Sequence, residues 1–65
     1  MFTKYRIHDV VSYDINGIRF YGTVQHIDID EGGIVYTLRT DPRIATSRKT
    51  EEELMLAIQA NGEPN

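Results

Sequence analysis

One stretch of strand-forming residues, positions 18–29, constrains the fold of this chain more than any other part of the sequence. Its twelve residues read IRFYGTVQHIDI, in which β-branched and aromatic types are frequent and Gly22 is the single glycine. Val24 and Ile27 stand at positions of opposite parity, so a regular strand would turn one of them away from the core. The pattern therefore predicts one long strand, bent at Gly22 and bulged near residues 25–26, that serves two sides of a small barrel.

Turn signals on both sides of this long strand divide the neighbouring sequence into further strands. Asn16-Gly17 is the strongest two-residue hairpin signal, because both residues tolerate positive φ. Residues 30–33, DEGG, predict a second hairpin, and Asp41-Pro42 predicts a turn because proline fixes φ. The other predicted strands cover residues 10–13, 34–39 and 44–47, so that strands occupy 10–47, and they follow a lead-in, residues 1–9, whose apolar members are Phe2, Tyr5 and Ile7.

The C-terminal segment changes character after Thr50 and favours a short helix within residues 50–60. Thr50 and Glu53 have the spacing of a capping box, and residues 51–60 are almost all good helix formers. On a helical wheel Leu54 and Ile58 share a face that can pack on the barrel, whereas Leu56 points away. We therefore expect a frayed tail at residues 61–65 and a protein interface on the outer side of the helix. The interface residues are Met55, Leu56 and Glu52.

Length and cysteine content bound the class of protein. The 65 residues make one domain, which we take as 1–65. A chain of this size buries only about 60% of the surface that its unfolded form exposes, so association with another chain is worth considering. The sequence has no cysteine, no segment typical of a signal peptide and no apolar run of membrane-spanning length. We therefore expect a cytoplasmic protein with no membrane partner.

The charges are distributed unevenly along the chain. The net charge is −3, yet residues 1–49 carry seven basic and six acidic side chains, and residues 50–65 carry four glutamates and no basic residue. Net acidity argues against general nucleic-acid binding, because phosphate neutralisation supplies most of that affinity. A local basic group just before the acidic tail nevertheless predicts phosphate contacts as an alternative. It consists of Arg39, Arg43, Arg48 and Lys49.

Several short motifs resemble those of SH3-like small barrels of the Tudor and KOW kind. They are Asp9-Val10-Val11-Ser12-Tyr13, Tyr21-Gly22-Thr23-Val24 with Ile27, Tyr36-Thr37-Leu38, and Glu53-Leu54 with Ile58, so the resemblance covers residues 5–58. It implies a mainly β fold, a small antiparallel barrel of four to five strands. The sequence departs from the pattern at His8, where a glycine is usual. The resemblance also implies a turn and a fifth strand where the local sequence predicts the C-terminal helix, and both alternatives stay open.

The sequence offers residues for an aromatic cage but not a complete set of ligands for a metal ion. Tyr13, Tyr21 (or Phe20) and Tyr36 are candidates for an aromatic cage that holds a cation, although aromatic residues on short strands more often pack in the core. Residues 28–33 start like a calcium-binding loop, but Arg39 stands where that loop needs a glutamate. Two histidines without cysteine give no zinc site. We expect no metal, no cofactor and no catalytic residues.

The features together favour binding over chemistry. We interpret the chain as a small non-catalytic protein-binding module, a regulator, adaptor or inhibitor of the kind that phages and plasmids encode, with a protein partner or a second copy of itself. The alternative is a KOW-like nucleic-acid-associated module that uses the basic residues between Arg39 and Lys49. The fold alone does not decide between the two, because small barrels of this type serve both functions.

Overall fold

A computed structural model of the chain describes residues 3–41, 43 and 45–58, and the fold of these residues is mainly β. Five antiparallel strands form one sheet in the order β4-β3-β2-β1-β5. The strands are β1 (Val10–Ile15), β2 (Ile18–Asp30), β3 (Gly33–Arg39), β4 (Ser47–Thr50) and β5 (Met55–Ile58), and the 3-10 turn Glu51–Glu53 lies between β4 and β5. The predictions that concern residues 1–2, 42, 44 and 59–65 lie outside the described residues.

The long strand predicted from the sequence is confirmed as β2, and so is its bulge. β2 pairs with β3 in one register as far as Val24, and pairing resumes at His26, which leaves Gln25 as the extra residue. Because the bulge shifts the alternation by one position, Ile27 lies on the same face as Val24 and packs against the core. The buried core consists of Tyr5, Val11, Tyr13, Val24, Tyr36, Leu38 and Leu54.

Both predicted hairpins are confirmed. Asn16 and Gly17 have φ values of 52° and 82°, and the pairing of β1 with β2 continues to the residues on either side of them. Positive φ at both central positions gives a two-residue turn the twist of its flanking strands. In the second turn, residues 30–33, Oδ1 of Asp30 accepts a hydrogen bond from the N–H of Gly32 at 2.7 Å.

The predicted C-terminal helix is wrong for residues 51–58. Glu51–Glu53 form one 3-10 turn, and the chain continues as β5, antiparallel to β1. The predicted contact at Thr50 does form, since the Glu53 carboxylate accepts hydrogen bonds from the N–H and the hydroxyl of Thr50, both at 2.9 Å. Packing overrides helix propensity here, because a strand brings both Leu54 and Leu56 to the core whereas a helix would leave Leu56 outside. The structure therefore has the turn and fifth strand of the other alternative.

The predicted fourth strand is also displaced. The sequence places it at residues 44–47, whereas β4 is Ser47–Thr50 and pairs with β3. The apolar Ile44 favours a strand at that position, whereas the two basic residues, Arg48 and Lys49, are typical of a loop. An edge strand needs only backbone pairing on one side, and charged side chains are common there because they discourage further pairing.

The two edge strands, β4 and β5, are joined by only four residues. In a flat five-stranded sheet the edges would be about 19 Å apart, because neighbouring strands lie about 4.8 Å apart. Five residue steps reach at most about 17 Å when fully extended, and a 3-10 turn shortens that reach. The sheet must therefore curl around the core. The strands of the described residues nevertheless form an open sheet, with β4 and β5 as unpaired edges, so a closed barrel is not confirmed.

The predicted lead-in packs on the core through Tyr5. Its ring meets the Tyr36 ring edge to face, with centroids 5.3 Å apart, and its hydroxyl donates to the carbonyl of Leu54 at 2.8 Å. His8 has a φ of 76°, in the region that favours glycine. Ile7, in contrast, is 39% exposed and lies outside the buried core. The lead-in is thus held at β3 and at the connection between β4 and β5.

Candidate protein-binding surface

The outer face of the sheet, opposite the buried core, carries exposed apolar side chains on three neighbouring strands. Directly opposed residues of antiparallel strands share a face, and Ser12 of β1 is opposite both Tyr21 of β2 and Met55 of β5. Val10 of β1 is likewise opposite Ile58 of β5. Tyr21, Met55 and Ile58 are 53%, 50% and 59% exposed. We refer to these three residues as the apolar strip.

The small residue Ser12 lies between two large residues of the apolar strip. It is the smallest side chain in its row and lies between Tyr21 and Met55, and it is only 4% exposed. The two large side chains flank the serine, so the surface above β1 is formed by an aromatic ring and a thioether. Tyrosine and methionine are both enriched in protein interfaces, because each offers apolar area with little polar surface to desolvate.

Elsewhere the outer face is mainly polar, with Val10 and Val35 partly buried, and its charged groups form pairs. Arg48 of β4 donates to Asp28 of β2 at 3.1 Å, and His26 contacts the same carboxylate at 3.2 Å. Near the β1–β2 turn, Arg19 donates to Asp14 at 3.0 Å, and this hydrogen bond lowers the pKa of the Asp14 carboxyl. The outer face thus has an apolar part at Tyr21, Met55 and Ile58, and charged parts near the β1–β2 turn and over β4 and the end of β2.

The predicted interface on the outer side of a helix is wrong in part, because these residues form the strand β5. Met55 is exposed on the outer face, but Leu56 is opposite Val11 and is partly buried against the core. Glu52 is exposed in the 3-10 turn. Ile58, which the helix placed toward the barrel, is part of the exposed surface. Leu54 and Leu56 face the core and Met55 faces outward, which is the period of two that is typical of a strand. The strong helix propensity of the same residues conceals this period in the sequence.

The three tyrosines proposed for an aromatic cage do not converge. Tyr36 is fully buried, and Tyr13 is 6% exposed and stacks on Phe20 with ring centroids 5.8 Å apart. The ammonium of Lys49 lies 5.4 Å above the Tyr13 ring centroid. Tyr21 belongs to the opposite face, because it is opposite Ser12 rather than a core residue. The parity of the strands therefore separates Tyr21 from the other two rings.

The hydroxyl of Tyr36 makes hydrogen bonds to two other parts of the chain. Its hydroxyl donates to Oε2 of Glu51 at 2.6 Å and accepts a hydrogen bond from the N–H of Tyr5 at 3.2 Å. Burial and the Glu51 carboxylate raise the pKa of Tyr36 to about 12. The same phenol, together with the N–H of Lys4 at 2.9 Å, lowers the pKa of Glu51. These contacts tie the lead-in, β3 and the 3-10 turn together.

The four basic residues proposed to contact phosphates are dispersed. Arg39 and Arg48 lie on the outer face, Arg43 in the loop after β3, and Lys49 on the inner face opposite Tyr36. Three of these cations have carboxylate partners, with N–O distances of 3.2 Å for Arg43 and Asp41, 3.1 Å for Arg48 and Asp28, and 3.9 Å for Lys49 and Glu53. Hydrogen bonds from Arg43 also lower the pKa of Asp41.

A cleft of about 310 Å³ adjoins the apolar strip at the start of β5. Its lining residues are Ser12, Tyr13, Asp14, Lys49, Glu52, Glu53, Leu54 and Met55. Met55 belongs to both the cleft and the strip. Three carboxylates and one ammonium make the lining acidic.

Comparisons of the chain with protein-family models, with curated proteins and with solved structures find no match. The part of the chain that the structure describes contains no cluster of three or more His, Cys, Asp or Glu side chains that could hold a metal ion. Nor is any helix in this part both long enough and apolar enough to cross a membrane. A functional interpretation therefore depends on the chemistry of the surface.

Proposed function

We propose that this chain is a small non-catalytic protein-binding module and that the apolar strip is its contact surface. The observation that carries the proposal is the adjacency of Tyr21, Met55 and Ile58 on one face, each at least half exposed. An apolar surface bordered by polar residues is typical of a protein-binding site. Other exposed apolar residues are spread over the lead-in, both hairpin ends and the inner face: Ile7, Ile15, Ile18, Phe20 and Ile29.

Binding through the face of the sheet is favoured over pairing at its edges. β4 carries Arg48 and Lys49, and β5 has four residues and an irregularity in its pairing with β1. Charges, short length and bulges are the devices by which edge strands avoid added strands. Side chains of the apolar strip are therefore the better contact for a folded partner.

The SH3-like barrel remains our proposal for the finer class of fold. It is supported by the curl of the sheet, by the four-residue connection between the edge strands and by the positive φ of His8, at the position where the resembling barrels have glycine. A cytoplasmic regulator, adaptor or inhibitor would need no more than such a scaffold and one contact surface.

Nucleic-acid binding is the alternative function. It is supported by Arg39 and Arg48, which lie on the outer face. The carboxylate partners of Arg43, Arg48 and Lys49 weigh against it, because phosphates would have to compete with them. We therefore rank protein binding first.

Site-specific photo-crosslinking tests the proposed function. A benzophenone amino acid at position 21 should give a discrete protein adduct in cells of the native host, and the same group at position 26 on the polar outer face is the matched control. Met55→Ser in the position-21 variant removes apolar area without adding charge to the cleft, and it should weaken the adduct without unfolding the chain. An adduct of twice the chain's mass would identify a second copy as the partner. Equal labelling from positions 21 and 26 would contradict the proposal.

A further inference from the structure

We propose that the acidic cleft next to the apolar strip receives a basic side chain of the partner protein. The partner would present one lysine or arginine beside apolar residues, so that the cation enters the cleft while its apolar neighbours cover the strip. This inference rests on the proposed function and specifies the chemistry of the partner.

Met55 places the cleft and the strip within reach of a single peptide segment. It lines the cleft and is also part of the exposed row over β1. The volume of about 310 Å³ is at the lower end of the range for small-molecule pockets and suits one long side chain. Met55, which is 50% exposed, offers apolar surface to the methylene groups of such a side chain, as long cationic residues require.

The charges of the cleft select a cation. Asp14 is paired with Arg19, and Glu53 accepts hydrogen bonds from Thr50. The Glu52 carboxylate, in contrast, is exposed and makes no hydrogen bond or ion pair with a described residue. It is the carboxylate in the cleft that can bind an incoming cation without losing an existing partner. A charge-assisted hydrogen bond to a guanidinium or ammonium group is the strongest contact that it can make.

Lys49 shows where the incoming cation would not bind. Its ammonium already lies 5.4 Å above the Tyr13 ring and 3.9 Å from a carboxylate oxygen of Glu53. The ring face is thus covered from within the chain, and a second cation there would be repelled. The partner's cation is therefore expected at Glu52, in the cleft that Met55 also lines.

Two matched peptides test this inference. We would titrate the isotope-labelled protein with an acetylated, amidated hexapeptide that carries one arginine among leucines, and with the same peptide carrying citrulline, which has nearly the same shape and no charge. The arginine peptide should shift the amide signals of residues 12–14 and 52–55 and bind about two- to fivefold more tightly than the citrulline peptide, because an exposed charged contact contributes up to about 1 kcal/mol.

Two variants locate the effect. Glu52→Gln should remove most of the preference for arginine, whereas Glu31→Gln, in the exposed β2–β3 turn, should leave it intact. Equal affinity for both peptides, or a preference that survives Glu52→Gln, would overturn the inference and leave the apolar strip as a contact surface. Absence of binding by either peptide at millimolar concentration would also overturn it. Crosslinking at position 21 would still decide the proposed function independently.

Discussion

Tyr36 has a different role from the one that its position among other aromatic residues suggests. Its ring is fully buried, and its hydroxyl connects the backbone of Tyr5 to the carboxylate of Glu51. A buried hydroxyl must find partners, and here it satisfies groups from two other parts of the chain. The residue therefore stabilises the fold rather than binding a ligand.

Removal of this hydroxyl should destabilise the protein. Tyr36→Phe keeps the ring contact with Tyr5 but leaves the Tyr5 N–H without its partner, so we expect a loss of about 1–3 kcal/mol in the free energy of unfolding. Urea denaturation followed by circular dichroism measures it. Tyr21→Phe is the control, because Tyr21 is exposed and its loss should stay within about 0.5 kcal/mol. Equal stability of the two variants would contradict the structural role of Tyr36.

The hydrogen-bonded pair of Tyr36 and Glu51 predicts how the stability of the protein depends on pH. The folded pKa of Tyr36 is raised from its usual 10.0 to about 12, so its contribution is complete below pH 10. Between these two values only the unfolded chain loses the phenolic proton, and stability falls as pH rises. The pKa of Glu51 is lowered from its usual 4.5, so its contribution is complete above that pH and falls in more acidic solution. Urea midpoints across pH should show the alkaline loss in the wild type and a smaller one in Tyr36→Phe.

At the scale of elements, the first hairpin and β5 follow different rules. The first hairpin is specified locally, by two residues that accept positive φ between two strands. β5 is specified by distant contacts, since its own residues favour a helix and its partner strand, β1, lies more than forty residues earlier. The hairpin should therefore respond to backbone substitutions, and β5 to substitutions on its inner face.

Gly17→Val tests the hairpin. A Cβ at Gly17 would have no atom within 4 Å, so any loss of stability comes from the φ of 82° and not from a clash. A β-branched residue resists this conformation, and we expect a loss of more than about 1 kcal/mol. Gly17→Asn should lose clearly less, because asparagine tolerates positive φ. Thermal unfolding that is unchanged in the valine variant would rule out the turn as the element that sets the register.

Two neighbouring substitutions test β5. Leu56→Glu places a charge against the core beside Val11, and we expect a loss of about 2 kcal/mol or more, a large share of the stability of so small a domain. Met55→Glu changes the exposed face and should lose less than about 1 kcal/mol. Chemical denaturation of both variants measures the difference. If this segment were a helix, Met55→Glu would lose at least as much stability as Leu56→Glu.

At the scale of the whole molecule, charge is arranged to pair within the chain and to leave the cleft acidic. Ion pairs join β4 to β2 and the loop after β3 to itself, and the lining of the cleft carries three carboxylates and one ammonium. Because its net charge is −3, the chain has no overall electrostatic attraction to a polyanion such as a nucleic acid. These features favour a basic protein partner over a nucleic acid.

We therefore expect no saturable binding of single- or double-stranded oligonucleotides, even at low salt. Fluorescence anisotropy with labelled probes measures this, because phosphate contacts are strongest when few counterions compete. Steep salt-dependent binding that weakens in Arg39→Glu would favour the alternative function instead. Glu31→Gln serves as the control for a change of charge away from the basic residues.

The sequence by itself determined the features that depend on neighbouring residues. Alternation located the long strand and its bulge, since a shift of one position is visible wherever apolar parity reverses between Val24 and Ile27. The sequence also singled out Met55 and Tyr21, but as members of different hypothetical sites. Only the tertiary structure placed both on one face, turned Leu56 inward and paired the basic residues with carboxylates. These outcomes depend on strands far apart in the chain, because a strand of four residues gains its stability from what it packs against and not from its own propensity.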